Sequence, residues 1–172
     1  VITGNDGSTK VAVATDTGIV TPEIMNSITG CKLVYIESNH DVNMLMVGTY
    51  PYYLKQRILG ERGHLSNDTA AKLLCEVLHP GLRHVILAHL SKENNLPELA
   101  YETVRIELQA AAAKRGFPMP DLFVAERDIP GLMQGSTPKF LGEPKVSQTP
   151  TSPNYALNGV IGVLVGALLA AI

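Results

Sequence analysis

Cysteine is scarce: Cys31 and Cys75 are the only two in 172 residues, and neither has a partner at CxxC spacing. Neither a disulfide framework nor a thiolate zinc site is therefore signalled, and a reducing compartment fits. Charge is low as well, 17% of residues, with 14 basic against 16 acidic side chains. A net charge of -2 gives no broad pull on DNA or RNA, although it leaves room for a local phosphate site. Several signatures are missing too. Gly60 to Gly63 supplies neither the Walker lysine nor dinucleotide spacing, Ser66 and Ser91 lack a glycine elbow, and no HxH or HExxH occurs. Val1 to Gly7 carries neither an initiating Met nor the basic-then-apolar run of a signal peptide, so the chain is expected to begin inside a larger product.

What is present is an ordinary globular composition, 45% hydrophobic, in a length that suits one domain and a short appendage. The two ends differ. Residues 136–155 hold Pro138, Pro144, Pro150 and Pro153 among Ser, Thr, Gln and Gly, which reads as an extended linker. Ala156 to Ile172 follows without a charge, with Asn158 as its single strongly polar side chain and Gly162 and Gly166 at GxxxG spacing. A buried C-terminal helix and a membrane segment cut off by the chain end both fit, since a span needs ~20 apolar residues. The resulting division is 1–133 as a domain, 134–155 as linker and 156–172 as apolar helix.

Between these limits strand and helix signals alternate, the pattern of an α/β layer. Strands are expected at Lys10–Ala14, Lys32–Ile36, His84–Ala88 and Leu122–Ala125. Helices are expected at Pro22–Ile28, in two pieces over 42–59 broken by Gly48 and Pro51, from Ser66 or Asn67 to about Leu78, and from about Leu96 to Lys114. Asn95 and Glu98 have capping-box spacing for the last, whose Leu96, Ala100, Val104, Leu108 and Ala112 share a face. Three strand ends thus deliver Asp16, the Glu37 to Asp41 cluster and His89 into loops, where a rigid sheet can hold reactive groups in register. Asp and His are sensible ligands for zinc, manganese or iron, with His40 and His64 as supplements, but two ligands do not close a site. On the residues alone Asp16 also reads as a turn or cap residue, and His89 as a satisfied histidine at a strand edge.

Four ordered motifs carry a resemblance. Thr15-Asp16-Thr17-Gly18, Glu37-Ser38-Asn39-His40-Asp41, Gly63-His64-Leu65-Ser66-Asn67 and the run Leu87 to Asn95 resemble the later motifs of the bacterial cytoplasmic metallo-β-lactamase-fold hydrolases of the cell-wall two-component regulator locus. The likeness runs from about Ile2 to Met133. It implies the C-terminal half of a four-layer αββα sandwich whose dinuclear metal centre lies between loops at one edge of the sheets. By resemblance, Asp16 is the aspartate that bridges two divalent metals, zinc or manganese, and His89 is the final histidine ligand. His64, with Ser66 and Asn67, corresponds to a Gly-His loop near the cleft, and Asn39, His40 and Asp41 to a neighbouring loop that contacts substrate. The family's chemistry is that of a nuclease or phosphodiesterase acting on DNA or RNA, in which His64 would contact phosphate or assist the leaving group.

The family's upstream HxHxDH motif and one further histidine do not occur here. The expectation is a hydrolase fragment with weak or no metal binding, inactive alone, whose sheet lacks the missing N-terminal half or takes another copy in its place. A noncatalytic membrane-associated or interaction protein using this half as scaffold is the alternative. The tail from Pro150 onward resembles, less specifically, the proline-rich approach to the second membrane helix of polysaccharide chain-length regulators. It would anchor an otherwise cytoplasmic body.

Overall fold

A computed structural model describes residues 1–4, 7, 9–125 and 133–134. The expected tail, including the linker beyond Gln134 and the apolar stretch 156–172, lies outside the described residues. The described elements are β1 (Ile2–Thr3), β2 (Lys10–Ala14), α1 (Pro22–Ile28), β3 (Leu33–Glu37), α2 (Val42–Val47), α3 (Tyr52–Leu59), α4 (Asn67–Val77), β4 (His84–Ala88), α5 (Pro97–Arg115), β5 (Asp121–Ala125) and β6 (Met133–Gln134). Together they form a mixed α/β fold.

The apolar runs Val11-Ala12-Val13, Val34-Tyr35-Ile36 and Val85-Ile86-Leu87 have the continuous hydrophobicity that a doubly buried parallel strand requires. They pair accordingly. The sheet has the order β1-β2-β3-β4-β5-β6, with β2 to β5 parallel and the two-residue strands β1 and β6 antiparallel at its edges. No hydrophobic alternation announces two-residue strands, and both edges escaped the sequence reading.

Strands added one after another in one direction, with crossovers of the usual right hand, put every connecting helix on the same face. The core reflects this. Ala12, Val34, Ile36, Val85, Leu87, Leu122 and Val124 pack with Ile28 of α1, Ala70, Leu74 and Val77 of α4, and Ala100, Val104, Leu108 and Ala112 of α5. The alternate strand residues Val11, Leu33, Tyr35, Ile86 and Ala88 form a second cluster in which no described helix takes part. One helix layer on one sheet is consistent with part of a metallo-β-lactamase-like sandwich.

Local chemistry sets the helix boundaries. Thr21, Asp41 and Ser66 each accept a backbone N–H of the first turn of α1, α2 and α4 through their side-chain oxygens. Gly116 ends α5 in the left-handed conformation, φ 66, with its N–H directed to the carbonyls of Ala112 and Ala113. The expected capping box at Asn95 and Glu98 does not form. Leu96 is the N-cap, without a side-chain hydrogen bond, and is exposed rather than on the buried face. The Asn95 amide is engaged elsewhere, donating to Ser38 O and Asn67 Oδ1 while its Oδ1 accepts from Leu96 N. Among the described residues no helix is long and apolar enough to cross a membrane.

Candidate functional site

The C-terminal ends of β2, β3 and β4 converge on one group of side chains. Asp16 follows β2 by two residues, Glu37 is the last residue of β3, and His89 comes directly after β4. β3 lies between β2 and β4, so Asp16 and His89 are not from adjacent strands and the carboxylate of Glu37 fills the place between them. His64 arrives from the loop after α3. These four residues each bring one potential ligand atom to within 4.8 Å of the others.

Glu37 is the organising residue. Its side chain is fully buried, and Oε1 lies 2.6 Å from His64 Nδ1 and 2.8 Å from His89 Nδ1. The other oxygen accepts the backbone N–H of Thr17 at 3.1 Å, which ties the Asp16 loop to the strand. The two imidazole rings meet edge to face, their centroids 5.1 Å apart. Asp16 Oδ1 stands farther off, 3.6 Å from His89 Nδ1 and 3.9 Å from His64 Nδ1, with its side chain 65% exposed. Period-two alternation places Glu37 on the same side as Leu33 and Tyr35, the sheet face that no described helix covers.

Backbone strain coincides with this group. Asp16 and His89 are the two non-glycine residues with positive φ among the described residues, at 56° and 55°. The left-handed conformation costs a non-glycine residue of order 1–2 kcal/mol. The surrounding loops keep it in place. A Cβ on Gly18 would collide with the carbonyl oxygens of Gly60 and Glu61 and with Gly63 N, so the Asp16 loop and the loop leading to His64 touch backbone to backbone. At His89, Asn39 Nδ2 donates to the carbonyl oxygen at 2.7 Å, and Ser91 N donates to Asn39 O.

The remaining expected site residues lie in a buried polar network. Asn39, His40, Ser66 and Asn67 are all buried. Ser38 Oγ donates to Asn67 Oδ1 at 2.7 Å, and the Asn67 and Asn95 amides bond each other reciprocally at 3.0 and 2.9 Å. Ser66 Oγ accepts from Thr69 N as the cap of α4. His40 pairs by backbone with Ser66 and accepts from Asn67 N through its carbonyl, yet neither of its ring nitrogens has a hydrogen-bond partner among the described residues. Burial lowers the His40 pKa, and the neighbouring His64 adds to this, against the opposing charges of Glu37, Asp41 and Asp68.

Chemically, two carboxylates and two imidazoles are a suitable donor set for a divalent cation of the zinc or manganese type. Ligands about 2.1 Å from a tetrahedral ion stand roughly 3.4 Å apart. The Glu37–His distances of 2.6 and 2.8 Å are shorter than that spacing and are those of hydrogen bonds to Nδ1. Glu37 therefore fits best as the carboxylate that fixes both rings through Nδ1. Sequence reading brought Asp16, His64 and His89 forward but left Glu37 in a loop cluster. The signal for it is a carboxylate closing an otherwise apolar strand, Leu33-Val34-Tyr35-Ile36-Glu37, which only a partnered charge can do.

No family model matches the chain. Curated relatives do: it is 38% identical over 119 residues to exodeoxyribonuclease YycJ of Bacillus anthracis, covering 69% of this chain and 44% of that protein. Exodeoxyribonuclease WalJ of Streptococcus pneumoniae, strains D39 and R6, is 42% identical over 97 residues, 56% of this chain and 36% of the relative. The chain shares family-level homology with these proteins. It spans less than half the length of the curated relatives it matches.

Proposed function

We propose that this chain carries part of the catalytic centre of a metal-dependent hydrolase, a nuclease or phosphodiesterase acting on DNA or RNA. The observation that supports this most is the convergence of Asp16, Glu37, His64 and His89 within 4.8 Å at the ends of three parallel strands. The resemblance to exodeoxyribonucleases supplies the substrate class.

In this reading the Asp16 carboxylate and a His89 nitrogen hold a divalent cation, zinc or manganese. When bound, the cation supplies Lewis acidity toward a phosphoryl oxygen and lowers the pKa of water. Glu37 accepts Nδ1–H from both rings and so sets their tautomers. His64 Nε2, when protonated, donates a hydrogen bond to a phosphate oxygen or its proton to the departing oxygen, and the Glu37 charge steadies the imidazolium. Asn39, His40, Ser66 and Asn67 serve substrate through the loops they hold, since their side chains are buried.

Asp16 and His89 are only two of the ligands that one cation needs, and the others, like those of any second cation, would come from beyond the described residues. The isolated chain is accordingly proposed to bind metal weakly and to be inactive without a complementing half or another copy. The test combines metal titration calorimetry on this chain with nuclease assays alone and with the N-terminal half of a relative. Weak binding that Asp16→Asn abolishes, and activity that appears only on complementation and disappears in the same variant, are the expected results. Activity indifferent to Asp16 would overturn the hydrolase assignment, and tight stoichiometric metal in the chain alone would overturn its incompleteness.

A further inference from the structure

The segment from α2 to His64 is unlike the rest of the molecule. α3 has no buried residue, whereas α4 and α5 each bury an apolar row. Its first two residues, Tyr52 and Tyr53, are 72% and 74% exposed, and the end of α2 adds exposed Met46 and Val47. An eight-residue helix without a buried face gains little from packing and is marginal by propensity alone. Two clamps hold this one instead. Lys55 Nζ donates to the carbonyls of Met46 and Gly48 at 2.6 and 2.7 Å, and His64 N donates to Ile58 O at 3.0 Å. The backbone contact of Gly18 with Gly60, Glu61 and Gly63 then fixes the C-terminal end of α3 beside the Asp16 loop.

Charge separates the segment further. From Val42 to Gly60 there is no acidic residue, while Lys55 and Arg57 lie within it and Arg62 just beyond Glu61, in a chain of net charge -2. Arg57 and Arg62 are exposed. The tyrosines sit at the other end of α3, about 10 Å along the helix from Leu59. Exposed aromatic rings with cations along the approach to a phosphate-cleaving site are the elements with which proteins bind unpaired nucleic-acid strands, by stacking bases and neutralising phosphates.

We propose that the α2–α3 arm is a base-stacking platform for single-stranded nucleic acid, with Tyr52 and Tyr53 stacking bases of the strand whose phosphate reaches His64. This rests on the hydrolase reading for the neighbouring site, but its test does not. Binding of a fluorescein-labelled single-stranded oligo-dT is followed by anisotropy in EDTA, beside an abasic strand of equal length and a duplex. Tyr52→Ala and Tyr53→Ala should each weaken oligo-dT binding on the order of tenfold and leave the abasic strand unaffected, while Tyr52→Phe and Tyr53→Phe retain affinity. Arg57→Ala and Arg62→Ala should weaken both single strands alike and reduce the salt slope by about 0.7 each. Equal affinity for oligo-dT and abasic strand, or equal dependence of duplex binding on the tyrosines, overturns the platform. So does a self-association of the chain that the alanine variants abolish while oligo-dT binding persists, because the patch would then be a protein contact. Tyrosine-dependent binding in EDTA, with no Asp16-dependent cleavage even after complementation with the N-terminal half of a relative, would sink the hydrolase reading and leave the platform standing. Cleavage that requires Asp16 but ignores both tyrosines would do the reverse.

Discussion

Imidazole and carboxylate meet at both ends of the parallel strands. At the start of β4 and β5, His84 Nδ1 lies 3.3 Å from Asp121 Oδ2, on a pair of adjacent strands whose carboxylate is 69% exposed. At the opposite ends, His64 and His89 share the carboxylate of Glu37, which is fully buried. The residue types are the same and the imidazoles are similarly exposed, but the Asp121 carboxylate is screened by water and that of Glu37 is not. Strain divides them again, since Asp16 and His89 hold positive φ and neither member of the first pair does. An ion pair by itself is therefore weak grounds for a site. A buried carboxylate with three donors, framed by strained backbone, is stronger, because such an arrangement persists only where surrounding structure enforces it.

The contrast is sharpest on removal of the carboxylate. Glu37→Ala leaves two imidazole nitrogens and Thr17 N without their acceptor, and should lower unfolding free energy by about 2–3 kcal/mol, read as a drop in urea midpoint. A loss no greater than that of Asp121→Asn would erase the distinction between the two ends.

Acidification should also act on the site end, through His40. Its folded pKa is lowered, chiefly by burial, from an unfolded value near 6.5. The unfolded chain then binds the extra proton between the two values. The contribution to stability is complete above the unfolded pKa and is lost as pH falls from there toward the lower folded pKa, by at most about 1.4 kcal/mol per pH unit. Urea midpoints on either side of that unfolded value should fall less steeply with acid in His40→Gln than in the parent. Parallel slopes would remove His40 from this account.

Strain can be tested with little change in contacts. Asp16→Gly and Asp16→Ala both delete the carboxylate, but only glycine accepts φ 56 freely. The glycine variant should exceed the alanine variant by about 1 kcal/mol in chemical denaturation. Equal stability would mean that the loop relaxes and the positive φ is not enforced. The smallest effect belongs to the other end: Asp121→Asn should shift stability by less than about 0.5 kcal/mol, and salt should mask even that.

Much of this was legible in the chain. The β2 and β4 boundaries and α1 follow from local apolar runs, a Thr cap and proline at the helix start, and Gly48 and Pro51 split α2 from α3 as their chemistry requires. Asp16 and His89 stood out because polar residues follow strand ends, and His64 through the Gly63-His64 motif that carries the family resemblance. The edge strands β1 and β6 did not, being two residues long with register set by their neighbours. Asn95 was misjudged as a helix cap because its true partners, Ser38 and Asn67, are 57 and 28 residues away.

What the amino-acid order alone determined is the alternation of strands and helices and the polar character of the strand ends, because caps, breakers and apolar runs act over a few neighbouring residues. Tertiary structure decided that β3 passes between β2 and β4, and hence that Glu37 rather than a fourth loop residue joins Asp16, His64 and His89. It also decided that α3 stays uncovered, with its tyrosines exposed. Strand order and burial depend on contacts between distant segments, and those contacts set both the charge a buried carboxylate can keep and the partners it must find.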